Sequence, residues 1–125
     1  MRILLDTHVY LWHVTDDDQL SPEAKSLILA SESIHISAAT LWEVAIKVRL
    51  GKLREDLADL IDKMEESGFL ELPVYSRHTA QVAQLPLLHG DPFDRMLVAQ
   101  AISESLFLIT ADSQLLQYSN LVIRV

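Results

Sequence analysis

Short apolar runs alternate with longer stretches of helical periodicity along the whole chain. Ile3-Leu4-Leu5, Ile34-His35-Ile36, Leu106-Phe107-Leu108-Ile109 and Leu121-Val122-Ile123 are each bounded by polar positions. Runs of this length, apolar on successive residues, read as strands covered on both faces, which is the habit of parallel sheets. They predict strands at 2–6, 34–36, 106–110 and 121–124, with another at 69–74, where Pro73 is tolerable near the end.

Between them lie the helices. Thr7 to His13 is short, with Thr7 able to cap it, and Thr15 to Asp18 breaks it. Ser21-Pro22-Glu23 is a start signal for a helix to Ser31: an N-cap hydroxyl, proline in the first turn and an acid beside the positive dipole end. Ser37 opens a helix to Leu50 that stops at Gly51. The stretch 56–66 is amphipathic, with Leu57, Leu60, Ile61 and Met64 on one face, and Gly68 ends it. Ser76 caps a helix to Leu85, 86–90 is a loop, and Asp91-Pro92 opens a helix apolar on most faces. A last helix is expected at 112–118. Strands alternating with helices imply an α/β domain whose parallel sheet is flanked by helices. A single domain over 1–125 is expected, without repeats or linkers.

Composition narrows the class. Half of the residues are hydrophobic, which favours a packed globule over disorder. Cysteine is absent, so disulfides, thiolate nucleophiles and cysteine zinc sites are excluded. An acid at position 6 is too early for a signal peptide, and no apolar stretch reaches the length of a membrane span. A cytoplasmic protein with no membrane partner is the expectation. The net charge of −8 argues against broad affinity for nucleic acid, which needs a basic surface. It leaves open an enzyme that uses some of its eighteen acids as ligands. Lys47, Arg49, Lys52 and Arg54 form the one basic concentration. They read first as the positive, solvated end of a helix and second as a phosphate-contacting patch.

Four acids have positions that one fold would unite. Asp6 ends the first strand, and Asp112 follows the fourth after Thr110-Ala111. Side chains beyond the carboxyl ends of parallel strands converge on the crevice where α/β proteins bind ligands. Glu43 and Asp94 lie on helices that could flank that crevice. Each has a plain structural reading too. Glu43 can pair with Lys47 at i+4. Asp91 suits an N-cap, and Asp94 then sits at N3, where acids stabilise helices. Asp112, or Thr110 in its place, can cap the last helix. Together, four carboxylates in one crevice repel unless a hard cation neutralises them, and oxygen ligation suits Mg²⁺ or Mn²⁺.

Other phosphate chemistries lack their residues. An Asp-x-Asp after the first strand would need an acid at position 8, which is His8. A receiver domain needs a late lysine, and none follows Lys63. With only Gly51, Gly68 and Gly90 there is no glycine-rich phosphate loop and no Gly-x-Ser-x-Gly elbow. The five histidines, His8, His13, His35, His78 and His89, lack the spacing of a helical metal pair and read as ordinary core or surface positions.

Leu-Leu-Asp-Thr-His at 4–8, Ser-Ala-Ala-Thr-Leu-Trp-Glu-Val-Ala-Ile-Lys at 37–47, Asp-Pro-Phe-Asp-Arg at 91–95 and Leu-Ile-Thr-Ala-Asp at 108–112 resemble the motifs of PIN-domain ribonucleases. The chain is most similar to the VapC-type toxins of type II toxin–antitoxin pairs. The resemblance implies a PIN-like three-layer sandwich with a five-stranded parallel sheet, a homodimer, divalent-metal-dependent cleavage of RNA by metal-activated water, and inhibition by a cognate antitoxin. It places the catalytic quartet on Asp6, Glu43, Asp94 and Asp112. Asp6, Asp94 and Asp112 would hold Mg²⁺ or Mn²⁺, and Glu43 a second ion or a water. Thr110 would support a carboxylate, and Lys47, Arg49 and Arg95 would touch RNA or antitoxin. The alternative is a noncatalytic PIN-like module that binds RNA or protein through the same cleft.

Overall fold

A computed structural model describes residues 1–125. The chain runs β1 (Arg2–Leu5), α1 (Thr7–Val14), α2 (Pro22–Ala30), β2 (Ser33–Ser37), α3 (Ala38–Arg49), α4 (Leu57–Glu66), β3 (Leu70–Leu72), α5 (Ser76–Gln84), α6 (Pro92–Glu104), β4 (Phe107–Thr110), a 3₁₀ turn (Ser113–Gln117) and β5 (Val122–Arg124). The five strands form one sheet in the order β3-β2-β1-β4-β5, and every pairing is parallel.

Alternation along the strands explains why the apolar runs are continuous. Ile3 and Leu5 of β1, Ile36 of β2 and Ile109 of β4 pack on one face with Val9, Tyr10, Ala24, Ile28 and Met64 from α1, α2 and α4. Leu4 and Leu108 point to the other face, against Leu97, Val98 and Ala101 of α6 and Leu85 beyond α5. Two cores on one sheet make three layers. The Tyr10 hydroxyl crosses within the first core to donate to the Leu60 carbonyl at 2.5 Å, tying α1 to α4.

Helix ends follow local chemistry. Ser21 Oγ accepts from Ala24 N at 3.1 Å, with Pro22 in the first turn. Gly51 and Gly68 take φ of +72° and +74° just beyond α3 and α4, which residues with a Cβ rarely adopt. Three expectations need correction. Asp6, not Thr7, caps α1, because the Thr7 hydroxyl is drawn into contact with Glu43. Tyr75, not Ser76, is the N-cap of α5, with its backbone N–H donating to His78 Nδ1 at 3.0 Å. The helix expected at 112–118 is only a 3₁₀ turn over Ser113–Gln117; the link from β4 to β5 is too brief for a full crossover helix.

The strand order places the site. From β1 the chain winds outward to β2 and β3, then returns to the other side of β1 with β4 and β5. The reversal lies between β1 and β4. In open α/β sheets ligands bind beyond the carboxyl ends of the strands at such a switch point. Leu5 pairs with Ile109 there, so Asp6 and Thr110 emerge side by side.

Candidate active site

Asp6 is the deepest acid of the crevice. Its backbone N–H donates to the Ile109 carbonyl at 3.0 Å, which continues the β1–β4 ladder by one step. Its Oδ1 accepts from Val9 N at 2.8 Å, and its Oδ2 accepts from Thr110 Oγ1 at 2.5 Å. Burial pushes its pKa up, with the nearby Glu43 charge adding to the rise; the bonds from Thr110 and Val9 oppose it. Thr110 Oγ1 also accepts from Asp112 N at 3.0 Å, so one hydroxyl sets the spacing of two site acids.

Asp94 enters from α6. Asp91 Oδ1 caps that helix, accepting from Phe93 N at 2.8 Å and Asp94 N at 3.1 Å, and this leaves the Asp94 carboxylate to face the crevice. Its pKa is pushed up to about 6, mainly by burial, then by the charges of Asp91, Asp6 and Glu43, against the hydrogen bond with His89. Asp112 caps the 3₁₀ turn through Oδ1, which accepts from Gln114 N at 2.9 Å. Its Oδ2 is turned to the crevice. Exposure increases from the Asp94 side chain, at 24%, to that of Asp112, at 40%, so the site opens to solvent on the Asp112 side.

Glu43 is buried on α3 and held at both oxygens. Thr7 Oγ1 donates to Oε1 at 2.7 Å, and Lys47 Nζ lies 3.0 Å from Oε2. Thr40 Oγ1 is 3.2 Å from Thr7 Oγ1, which completes a small buried hydroxyl–carboxylate cluster. Glu43 keeps its i+4 partner Lys47 and lies near enough for its charge to raise Asp6 and Asp94, but it does not line the cavity those acids share with Asp112.

The sequence reading overlooked His89. Its Nε2 lies 3.0 Å from Asp94 Oδ2 and 3.8 Å from Asp112 Oδ2. One ligand atom from each of His89, Asp94 and Asp112 lies within 4.8 Å of the others. It is not an ordinary surface position. The only signal was its place five residues before Asp94 in a loop, which no helical spacing reveals. Asp6, Asp94 and Asp112 line one open cavity of about 370 Å³ with His8, Trp12 and Gln19. Oxygen donors with an imidazole nitrogen, no thiolate and a net negative lining form a donor set that fits a divalent cation.

The three basic residues are placed differently from one another. Lys47 reaches a second depression, with Lys52 and Thr15, that shares His8 and Trp12 with the acidic cavity. Arg49 is exposed at the end of α3. The Arg95 guanidinium is turned away from the acids: Nη1 donates to the Pro86 carbonyl at 2.8 Å and to Tyr118 Oη at 3.2 Å. No helix is long and apolar enough to cross a membrane.

Comparison with known proteins supports this architecture. No curated protein sequence matches the chain. Among solved structures, a VapBC2 complex from Rickettsia felis bound to a fragment of its promoter DNA superimposes with a TM-score of 0.76 at 19% identity, covering 100% of this chain and 99% of the other. The FitAcB structure from Neisseria gonorrhoeae gives 0.65 at 23% identity over 90% and 89%. A FitAB complex bound to the IR36 DNA fragment gives 0.67 at 20% over 98% and 94%. At such identities these likenesses concern the fold. Residues 3–121 match the model of the PIN domain, and the chain belongs to the PIN domain family.

Proposed function

We propose that this protein is a divalent-metal-dependent endoribonuclease that serves as the toxin of a toxin–antitoxin pair. One observation carries the reading: within a PIN domain, the Asp94 and Asp112 carboxylates converge with His89 at the strand-order reversal, beside the buried Asp6. Asp6, Asp94 and Asp112 would hold the cation directly or through water, and Glu43, whose oxygens meet Thr7 and Lys47, would hold a second ion or a water. When bound, a divalent cation there supplies Lewis-acid charge stabilisation and acidifies water near neutral pH.

The chain's own groups do the rest. Thr110 fixes the Asp6 carboxylate and Asp112 backbone. Thr7 and Lys47 hold Glu43. Lys47 and Lys52, with Asp17 and Glu55, line a depression that shares His8 and Trp12 with the acidic cavity, and the two lysines are the candidates there to meet RNA phosphates. Arg49, exposed at the end of α3, is a third. Attack of water in line on phosphorus leaves a 5′-phosphate and a 3′-hydroxyl. The proposed partners are RNA, a second copy of the chain and a cognate antitoxin, the last in keeping with the VapBC and FitAB complexes that share the fold.

The test is incubation of the purified protein with structured and single-stranded RNA in Mg²⁺, Mn²⁺ or chelator. Cleavage that needs metal, leaves 5′-phosphates and disappears in Asp94→Asn supports the proposal. Metal-independent cleavage, or equal activity in Asp94→Asn, refutes the mechanism. For the toxin role, expression without a partner should arrest growth, and Asp94→Asn should relieve the arrest.

A further inference from the structure

We infer that His89 is a nitrogen ligand of the catalytic cation and that it biases the site toward Mn²⁺ over Mg²⁺. The inference rests on the metal-dependent reading above and extends it to a residue outside the acidic quartet.

The first support is geometric. Two adjacent ligands of an octahedral ion, each about 2.1 Å from it, are separated by roughly 3 Å. His89 Nε2 stands 3.0 Å from Asp94 Oδ2 and 3.8 Å from Asp112 Oδ2. A hydrogen bond to Asp94 accounts for the first distance only. It gives no reason for the same nitrogen to face Asp112 as well.

The second support is the way the loop is held. Residues 86–90 carry no regular structure, yet they are fastened from two sides. Arg95 Nη1 donates to the Pro86 carbonyl at 2.8 Å, and the same nitrogen is 3.2 Å from Tyr118 Oη. Tyr118 Oη in turn reaches the His89 carbonyl at 3.5 Å. The anchors come from α6 and from the residue after the 3₁₀ turn, which are the segments that carry Asp94 and Asp112. An imidazole tied to the same supports as two carboxylates is preorganised with them.

Chemistry sets the preference. Mg²⁺ favours oxygen ligands and keeps much of its water, whereas imidazole favours first-row transition ions. Ligation uses the Nε2 lone pair of an imidazole whose ring proton sits on Nδ1, so the ring itself releases no proton.

Mn²⁺ is the probe. Electron spin echo spectra of the Mn²⁺-bound protein should show nitrogen modulation from a directly bound imidazole. The modulation should vanish in His89→Gln and persist in His8→Gln, the control, since His8 lines the cavity of Asp6, Asp94 and Asp112. Titration should show Mn²⁺ affinity falling about 10-fold or more in His89→Gln, with a smaller loss for Mg²⁺. Wild-type protein that binds Mn²⁺ without nitrogen modulation overturns His89 ligation and leaves the metal-dependent reading standing. So does modulation that follows His8, whereas equal losses for both ions overturn the preference for Mn²⁺. Wild-type protein that binds neither ion at millimolar concentration overturns both.

Discussion

Replacing Asp94 by Asn should make the metal-free protein more stable while reducing its capacity to bind metal. The Asp94 carboxyl is pushed up to about 6 from the ordinary 3.8, chiefly by burial. A rise of this size corresponds to about 3 kcal/mol of disfavoured ionisation at neutral pH. The side chain retains 24% exposure, so hydration offsets part of this. A net gain of about 1–2 kcal/mol is expected for Asn, or roughly 4–8 °C in melting temperature for a domain of this size. The sign follows from linkage. A carboxyl with a raised pKa binds its proton more tightly in the native state, so its stabilising contribution is full below the unfolded pKa of 3.8 and lost as pH rises through about 6. The advantage of Asp94→Asn should therefore be largest above about pH 7 and shrink toward zero by about pH 4. Comparing the two proteins cancels carboxylates with the opposite sign, such as Glu104, whose pKa is lowered mainly by its hydrogen bond with Arg77. The assay is thermal unfolding by circular dichroism in chelator from about pH 4 to pH 8, repeated with Mn²⁺. Metal should raise the wild-type melting temperature and move Asp94→Asn much less. A variant less stable than wild type in chelator at neutral pH, or an advantage independent of pH, would refute the claim that Asp94 is a strained charge awaiting a cation.

The other predictions concern separate parts of the site. Saturating the wild type with Mn²⁺ at about 100 times its dissociation constant should add about 2.7 kcal/mol to its stability, measured by chemical denaturation; no change would remove the cation from the site. Asp6→Asn and Asp112→Asn should each lower the rate of RNA cleavage by about two to three powers of ten, whereas Asp91→Asn should be far milder because Asn caps a helix about as well; equal damage at Asp91 would undo the division of that motif into cap and ligand. Thr110→Val leaves Asp6 Oδ2 and Asp112 N without their partner and should cost about 1–3 kcal/mol in urea unfolding; a neutral result would mean the two acids are held by other groups. An antitoxin that places an arginine among Asp6, Asp94 and Asp112 should bind more weakly as salt rises and in Asp112→Asn; affinity indifferent to both would put its binding elsewhere.

The sheet was legible because its central strands, β1 and β4, are apolar on both faces. Ile3, Leu4 and Leu5 in succession leave no solvated side, and only helices on both faces satisfy that pattern. Strand order was not legible. Nothing in the apolar runs says that β4 returns beside β1 rather than beside β3, since order is set by the crossovers and by how α5 and α6 pack. Yet that return converts two strand ends, fifty or more positions from the flanking helices in places, into one crevice. The acidic positions were legible only in combination, because each also has a structural task.

Those tasks explain how the carboxylates are kept together. Asp6 and Asp112 each commit Oδ1 to a helical N-terminus, at Val9 N and Gln114 N. Asp94 sits in the first turn of α6. Each acid therefore stands beside backbone N–H groups whose partial positive charge offsets part of its repulsion from the others. Capping and metal binding are not rival readings of such a residue. One oxygen anchors the side chain, and the carboxylate so fixed has its second oxygen directed by the fold: at Thr110 for Asp6, toward His89 for Asp112. His89 has no comparable task in a helix or strand, so periodicity and capping rules passed over it. Its position follows from Arg95 and Tyr118 holding the 86–90 loop, contacts that exist only once α6 and the 3₁₀ turn have packed together.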